Sequence, residues 1–176
     1  MSPIVVAGGG IAGAAVAAGL AQAGLDVTII ERETGPADKI CGEFLSTEAQ
    51  DYLSKLGLNP AALDGHGISE MALVRGGAKI QSKLPFTGLG ISRRTLDEAI
   101  LTHAERCGAK VLRGHKVTAV STDGGLAIDI SGIGQIRPQT LFLATGKHEL
   151  RGQSREATSR NDLVGFKMYF RLAPAA

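Results

Sequence analysis

The sequence is poor in aromatic residues and in net charge. It contains no tryptophan, aromatic residues make up 4% of the chain, and the formal net charge is +2. Proteins that stack nucleic-acid bases need exposed aromatic rings, and surfaces that bind polyanions need clustered positive charge. Because lysine and arginine are scattered here, the composition predicts no nucleic-acid partner.

Cysteine is scarce as well. Cys41 and Cys107 are the only two, and the four histidines are far apart in the chain. Two distant thiols give neither a disulfide framework nor a zinc-ligand pattern. We therefore predict no metal site, and a reducing cytoplasmic location is the expectation.

A long stretch without charge, residues 2–25, requires a membrane check. It is long enough to span a bilayer. However, it consists mainly of glycine and alanine, whereas membrane insertion favours larger apolar side chains. A signal peptide would also need basic residues ahead of the apolar run, and none precede it. We predict no transmembrane segment.

What the chain does have is glycine and a sufficient apolar content. It has 176 residues, of which 44% are hydrophobic and 24 are glycine. This length and composition predict one domain with a buried core. The first part alternates an apolar run (residues 4–7), three glycines, an alanine-rich helical segment (11–23) and a second apolar run (27–30). This order predicts a β-α-β unit with parallel strands.

The glycines of this unit match the spacing G-x-G-x-x-G at Gly8, Gly10 and Gly13. Gly8 permits a tight turn, Gly10 lets a pyrophosphate approach the backbone, and Gly13 lets the helix lie close to the strand. The N-terminus of the following helix presents free N–H groups to phosphates. Glu31 ends the second strand, where a carboxylate accepts hydrogen bonds from ribose hydroxyls. The spacing therefore predicts a dinucleotide site.

The spacing alone leaves the dinucleotide open among FAD, NAD and NADP. Arg32 stands next to Glu31 and is either a ligand of a 2′-phosphate or a solvated residue at the strand end. Glu31 itself would repel such a phosphate.

The rest of the chain predicts further elements in regular succession. Helices are expected at 46–56 and 92–106, each with a serine N-cap, and a third parallel strand at 110–112. Glycine-rich turns predict hairpins formed by 71–75 with 79–84 and by 117–122 with 126–130. Further strands are expected at 140–144 and 164–172. The predicted fold class is α/β: a Rossmann-like FAD/NAD(P)-binding β-α-β domain with a parallel central sheet and a small antiparallel β-meander.

Four segments together resemble a known family. They are the glycine fingerprint with Glu31, residues 39–43 (KICGE), residues 91–97 (ISRRTLD) and residues 141–146 (LFLATG). From Pro3 to about Arg171 the chain is similar to the N-terminal part of the flavoprotein superfamily of aromatic hydroxylases, geranylgeranyl reductases and flavin-dependent halogenases. The resemblance implies FAD as the cofactor.

The resemblance also implies roles for individual residues. The pyrophosphate would lie against the glycine turn, the adenosine ribose would bind Glu31, and adenine would meet backbone groups of Val117. The ribityl side of the flavin would lie along Cys41 and Gly42, with Arg93 near the phosphate–ribityl region and Gly146 passing close to the cofactor. The implied pyrophosphate ligands are Gly8, Gly10, Ala12 and Gly13.

For the whole enzyme, the resemblance implies an FAD-dependent oxidoreductase that takes electrons from NAD(P)H and acts on a small molecule. A monooxygenase is the leading interpretation, and a flavin reductase of a substrate double bond is the alternative. We predict an FAD-binding domain at 1–163 that lacks its C-terminal part, and the first strand of a substrate domain at 164–176. The family's second cofactor motif, G-D-x-x-G, is not in this sequence. A third interpretation is therefore a truncated nucleotide-binding module without activity of its own, whose partner would be a missing C-terminal half.

Overall fold

The computed structural model describes residues 3–147, 150–151, 153 and 166–170. Ten strands, three α-helices and one short 3-10 helix lie within these ranges. In chain order they are β1 (Ile4–Ala7), α1 (Ile11–Gln22), β2 (Val27–Glu31), β3 (Phe44–Leu45), α2 (Thr47–Lys55), the 3-10 helix (Pro60–Ala62), β4 (His66–Arg75), β5 (Ala78–Gly90), α3 (Arg93–Arg106), β6 (Lys110–Arg113), β7 (Val117–Ser121), β8 (Ala127–Ile130), β9 (Gly134–Ile136) and β10 (Thr140–Leu143).

A parallel sheet of four strands, in the order β10-β1-β2-β6, forms the centre of the fold. Every residue of β2 is buried, and β1 is buried except at its first residue. Strands covered on both faces need mainly apolar side chains at successive positions, as in the runs VVA and VTII, where Thr28 is the one polar residue. The predicted parallel sheet is confirmed, and the predicted third strand, β6, joins it beside β2.

One face of the parallel sheet packs against α1 and α3. The buried side of α1 carries Ala14, Ala17 and Ala18, each fully buried, and these small side chains let the helix lie close to the sheet. Ile100 of α3 is also fully buried in the same cluster. At roughly 25 cal/mol per Å² of apolar area removed from water, such a layer is the main stabilising term of the fold.

The opposite face of the parallel sheet packs against the three-stranded antiparallel sheet β7-β8-β9. Val5 and Ile30 from the central strands contact Val117 and Ile128 from the meander in a second buried cluster. The predicted hairpin of β7 and β8 and the small meander are confirmed. The third meander strand, β9, was not predicted.

A separate antiparallel sheet, β3-β5-β4, contains the predicted hairpin around Gly76 and Gly77. Its strands are longer than expected, and they reach back to His66 and forward to Gly90. The sequence hid the extension because β5 contains Pro85 and two glycines near its end, residues that usually interrupt strands.

The predicted strand at 164–172 lies mainly outside the described residues. Its described part, residues 166–170, forms no strand. The division of the chain into 1–163 and 164–176 stays a prediction.

Candidate dinucleotide site

Gly8 and Gly13 lie in close contact where the chain passes from β1 to α1. Gly8 has a φ of +108°, and its N–H donates to the Ile30 carbonyl oxygen at 2.9 Å. A Cβ at Gly8 would collide with the carbonyl oxygen of Ala144, and a Cβ at Gly13 would collide with the carbonyl oxygen of Gly8. Both positions therefore require glycine, in the roles that the sequence predicted for them.

The N-terminus of α1 differs from those of the other described helices. Its N-cap is Gly10, which has no side chain to accept a hydrogen bond from the first turn. The N-caps Ser46, Asn59 and Ser92 each accept one such bond in α2, the 3-10 helix and α3. Among the described helices, α1 alone thus leaves its first N–H groups without a side-chain acceptor, and Ala12 lies exposed in that first turn.

Gly10 has room for a Cβ, whereas its two fingerprint partners do not. A Cβ at Gly10 would find its nearest heavy atom, Lys39 Nζ, at 3.6 Å, which is an ordinary contact. Its φ of −71° is accessible to any residue. The local fold therefore does not require glycine at Gly10.

Glu31 is held beside the glycine turn by two backbone hydrogen bonds. Its Oε2 accepts from the N–H of Gly9 at 2.6 Å, and its Oε1 accepts from the N–H of Glu33 at 2.9 Å. Glu31 is buried, with 7% of the residue exposed. Each carboxylate oxygen has a second lone pair for a hydroxyl donor. Glu31, Gly9 and Glu33 line a small cleft together with loop residues 35–37.

The Arg32 side chain pairs with Glu33 at the surface. Its Nε lies 3.0 Å from Glu33 Oε1 in an ion pair whose side chains are 45% and 40% exposed. Arg32 does not line the cleft that contains Glu31. The structure thus places it at the solvated strand end, one of the two interpretations left open by the sequence.

Cys41 and Gly42 lie in the loop between β2 and β3. The thiol of Cys41 is exposed. The N–H of Glu43 donates to Cys41 Sγ at 3.5 Å and lowers the pKa of the thiol, with a smaller contribution from the Arg93 guanidinium. The Arg93 side chain therefore lies close to the Cys41 thiol. A Cβ at Gly42 would meet no described atom within 4 Å.

Glu43, which the sequence analysis did not single out, connects three segments. Its Oε1 accepts from the backbone N–H of Arg93 at 2.9 Å, from Lys167 Nζ at 2.6 Å and from the Tyr169 hydroxyl at 2.9 Å. Partial burial acts to raise the pKa of Glu43, but the hydrogen bonds of these three groups outweigh it and lower the pKa. Its φ of +55° is the one positive value found at a non-glycine residue in the described ranges.

A backbone hydrogen bond of Glu43 joins the loop at residues 39–43 to the segment before α3. The Ile91 N–H donates to the Glu43 carbonyl oxygen at 3.0 Å. The next residue, Phe44, pairs with Gly90 in the antiparallel register of β3 and β5. The loop at 39–43 and the start of α3 therefore form one connected unit.

Asp97 forms ion pairs with two positively charged side chains near the glycine turn. Arg93 forms a two-pronged ion pair with it, Nε to Oδ1 at 2.6 Å and Nη2 to Oδ2 at 2.9 Å, and Lys39 Nζ lies 2.8 Å from Oδ2. Asp97 is only 8% exposed. The hydrogen bonds that Arg93 donates to Asp97 raise the pKa of Arg93 against the opposing effect of burial. The sequence predicted a role toward the cofactor for Arg93, but none for Lys39 and Asp97, which stand in the quoted segments 39–43 and 91–97.

Val117 and Gly146 lie at the same end of the central sheet. The N–H of His115 donates to the Glu31 carbonyl oxygen at 3.1 Å, so the start of β7 at Val117 lies near Glu31. Gly146 follows β10, and its φ of +66° suits glycine. Neighbouring Ala144 donates its N–H to the Ala7 carbonyl oxygen at 2.9 Å, which brings this segment to the glycine turn.

The described residues contain neither a cluster of metal-binding side chains nor a membrane-spanning helix. Within the part of the chain that the structure describes, no group of three or more His, Cys, Asp or Glu is placed to hold a metal ion. None of the helices in these ranges is both long and apolar enough to cross a membrane. Of the histidines, His148 lies outside the described residues.

Known proteins are similar to this chain in sequence. The model of the FAD binding domain family matches residues 1–127. Menaquinone reductase of Mycobacterium tuberculosis is 36% identical over 125 residues, which are 68% of this chain and 31% of that protein. Tryptophan 2-halogenase of Chondromyces crocatus is 31% identical over 129 residues, 69% of this chain and 24% of that protein. The chain thus spans about a third or less of these relatives' length.

Solved structures show the same fold. The flavin-dependent brominase Bmp2 aligns with a TM-score of 0.70 at 24% identity, over 83% of this chain and 38% of that chain. The p-nitrophenol 4-monooxygenase PnpA from Pseudomonas putida DLL-E4 aligns with a TM-score of 0.67 at 19% identity, over 80% of this chain and 39% of that chain. The predicted α/β fold class is confirmed. Because the family model covers well over half of the sequence, the chain is a member of the FAD binding domain family.

Proposed function

We propose that this chain provides the adenosine-diphosphate side of the FAD site in a flavin-dependent oxidoreductase. The observation that carries the proposal is the N-terminus of α1, which has no side-chain cap and opens at Gly10. The first N–H groups of the helix and its positive dipole end suit a pyrophosphate. Glu31 also fits this role. Its carboxylate is held by the N–H groups of Gly9 and Glu33 and has lone pairs left for a ribose.

The remaining contacts would follow from the positions described above. Gly8 and Gly13 shape the turn, while Gly10 and Ala12 would contact the pyrophosphate. Arg93 would add a charge-assisted hydrogen bond. Val117 would meet adenine through its backbone.

Three positions would serve the flavin side of the cofactor. Cys41 and Gly42 would lie along the ribityl chain, and Gly146 would allow a close approach of the backbone. Arg32 is the weakest of the proposed cofactor ligands, because its guanidinium is engaged with Glu33 at the surface.

In the whole enzyme, bound FAD would supply the redox chemistry that links NAD(P)H to oxygen or to a substrate double bond. We propose a cytoplasmic monooxygenase-like enzyme acting on a small molecule. The second candidate is a reductase of a substrate double bond. The similarity to menaquinone reductase, at 36% identity, favours this second candidate.

The test of the cofactor site is Gly10→Val. The valine would project into the space proposed for the pyrophosphate, and its Cβ would meet only ordinary contacts within the protein. We expect FAD binding, measured by quenching of flavin fluorescence, to be lost while the urea unfolding midpoint changes little.

Gly77→Val is the matched control. It makes the same chemical change in the turn between β4 and β5, where a Cβ would meet no described atom within 4 Å. The control should bind FAD as the wild type does. FAD binding that survives Gly10→Val would overturn the proposed site.

The reaction class is tested by adding NADPH to the FAD-loaded protein, with and without oxygen. Oxygen uptake with peroxide formation would favour the monooxygenase. Flavin reduction without oxygen uptake would favour the reductase. FAD binding without reduction would favour a nucleotide-binding module that depends on a further C-terminal half.

A further inference from the structure

Two positive side chains from distant segments converge above the N-terminus of α1. Lys39 Nζ and Arg93 Nη2 lie 3.6 Å and 3.7 Å from the point where Gly10 would carry a Cβ. Lys39 comes from the loop after β2, and Arg93 is the first residue of α3. Both cations therefore face the same space as the free N–H groups of α1.

Like charges this close repel each other, and Asp97 is what holds them together. Its Oδ2 accepts from both Lys39 Nζ, at 2.8 Å, and Arg93 Nη2, at 2.9 Å, while its Oδ1 accepts from Arg93 Nε at 2.6 Å. The side chains of Lys39 and Arg93 are 31% and 19% exposed. One partly buried carboxylate thus fixes two long side chains that would otherwise be free to rotate.

We propose that Asp97 is a positioning residue, which holds Lys39 and Arg93 as a preformed pair of ligands for the FAD pyrophosphate. The proposal rests on the proposed FAD site and adds two residues to it, Lys39 as a ligand and Asp97 as the group that places both cations. Fixing the cations before the cofactor arrives removes the entropic cost of ordering them during binding.

A simple count of charges predicts the opposite effect. The two cations and Asp97 sum to a net charge of +1, so removal of the carboxylate would make the site more positive and would tighten the binding of an anion. Positioning predicts weaker binding, because the cations lose their fixed geometry. The sign of the change in affinity therefore separates the two explanations.

The experiment measures the dissociation constants of FAD, ADP and adenosine by titration calorimetry for Asp97→Asn, Lys39→Ala and the double variant. We expect Lys39→Ala to weaken FAD and ADP binding by about tenfold, the effect of losing one charge-assisted hydrogen bond. Asp97→Asn releases both Lys39 and Arg93, so it should weaken binding by at least as much. Adenosine, which lacks the pyrophosphate, should bind equally to all variants. The double variant should be little weaker than Asp97→Asn alone, because Lys39 contributes only while Asp97 places it.

Asp38→Asn is the matched control. It removes a carboxylate adjacent to Lys39 in the chain, which pairs with Arg94 at 3.4 Å through side chains that are 49% and 54% exposed. An exposed pair of this kind contributes little. The control should therefore leave all three dissociation constants unchanged.

The outcomes are distinct. Equal or tighter ADP binding by Asp97→Asn would overturn the positioning role, and unchanged binding by Lys39→Ala would overturn its role as a ligand. Lys39→Ala keeps the proposal testable if Asp97→Asn does not fold, since the Lys39 side chain is partly exposed. A wild-type protein that binds neither FAD nor ADP would overturn the proposed function itself. Wild-type binding with unaffected variants would overturn this inference alone.

Discussion

Gly13→Ala tests the packing that shapes the glycine turn. The new methyl group would collide with the carbonyl oxygen of Gly8 and lie 3.1 Å from the Cβ of Ala144. A backbone oxygen cannot rotate away as a side chain can, so α1 must shift from β1. Overpacking costs about 1–3 kcal/mol, and the rigid contact places this case near 3. Helix propensity returns about 1 kcal/mol for glycine to alanine. We expect the free energy of unfolding to fall by about 2 kcal/mol.

Gly19→Ala provides the control within the same helix. Among the described residues, the one atom within 4 Å of its Cβ position is Leu56 Cδ1 at 4.0 Å, so the added methyl group meets no obstruction there. Only the propensity term remains, and the variant should gain up to about 1 kcal/mol. Two identical changes in α1 should therefore differ by about 3 kcal/mol.

The assay is urea unfolding followed by far-ultraviolet circular dichroism, without added FAD. The two variants and the wild type should be compared under the same conditions. A Gly13→Ala protein as stable as the wild type would refute the reasoning. So would equal changes in both variants, because they would mean that the Gly8–Gly13 contact carries no special cost.

Two further predictions concern single side chains. Glu31→Gln should lower the urea midpoint and weaken FAD binding, because the amide offers one oxygen to the two N–H donors of Gly9 and Glu33. A buried donor left unpaired costs about 1–3 kcal/mol, and an unchanged midpoint would contradict this. Cys41 should react with iodoacetamide at lower pH than it does in the urea-unfolded protein, because the Glu43 N–H lowers its pKa and so raises the thiolate fraction. Identical pH–rate profiles by mass spectrometry would show that the hydrogen bond has no such effect.

The elements with a strong local pattern could be predicted from the sequence. The apolar strands β1 and β2, the glycine turn between them and the carboxylate at Glu31 all follow from side-chain order and spacing over one β-α-β unit. The serine caps of α2 and α3 also carry their signal locally, because Ser46 and Ser92 each bond an N–H three residues on.

The missed features depend on contacts between distant segments. The ion pair between Lys39 and Asp97 joins residues 58 apart in the chain, so no local spacing indicates it. Strand β9 has three residues with a single apolar side chain at Ile136, too few for an alternating pattern. Its existence depends on pairing with β8, which tertiary structure supplies.

The hairpin of β4 and β5 connects the candidate site to a distant part of the surface. β5 ends just before α3, and β3, which pairs with it, directly follows the loop that contains Glu43. β4 and β5 pair in two stretches, on either side of a bulge in which Ser69 alone faces four residues of β5. A bulge bends the strand that contains it and increases its local twist. The stretch next to Gly90 therefore belongs with the loop at residues 39–43, and the turn around Gly76 is separated from that loop by the bulge.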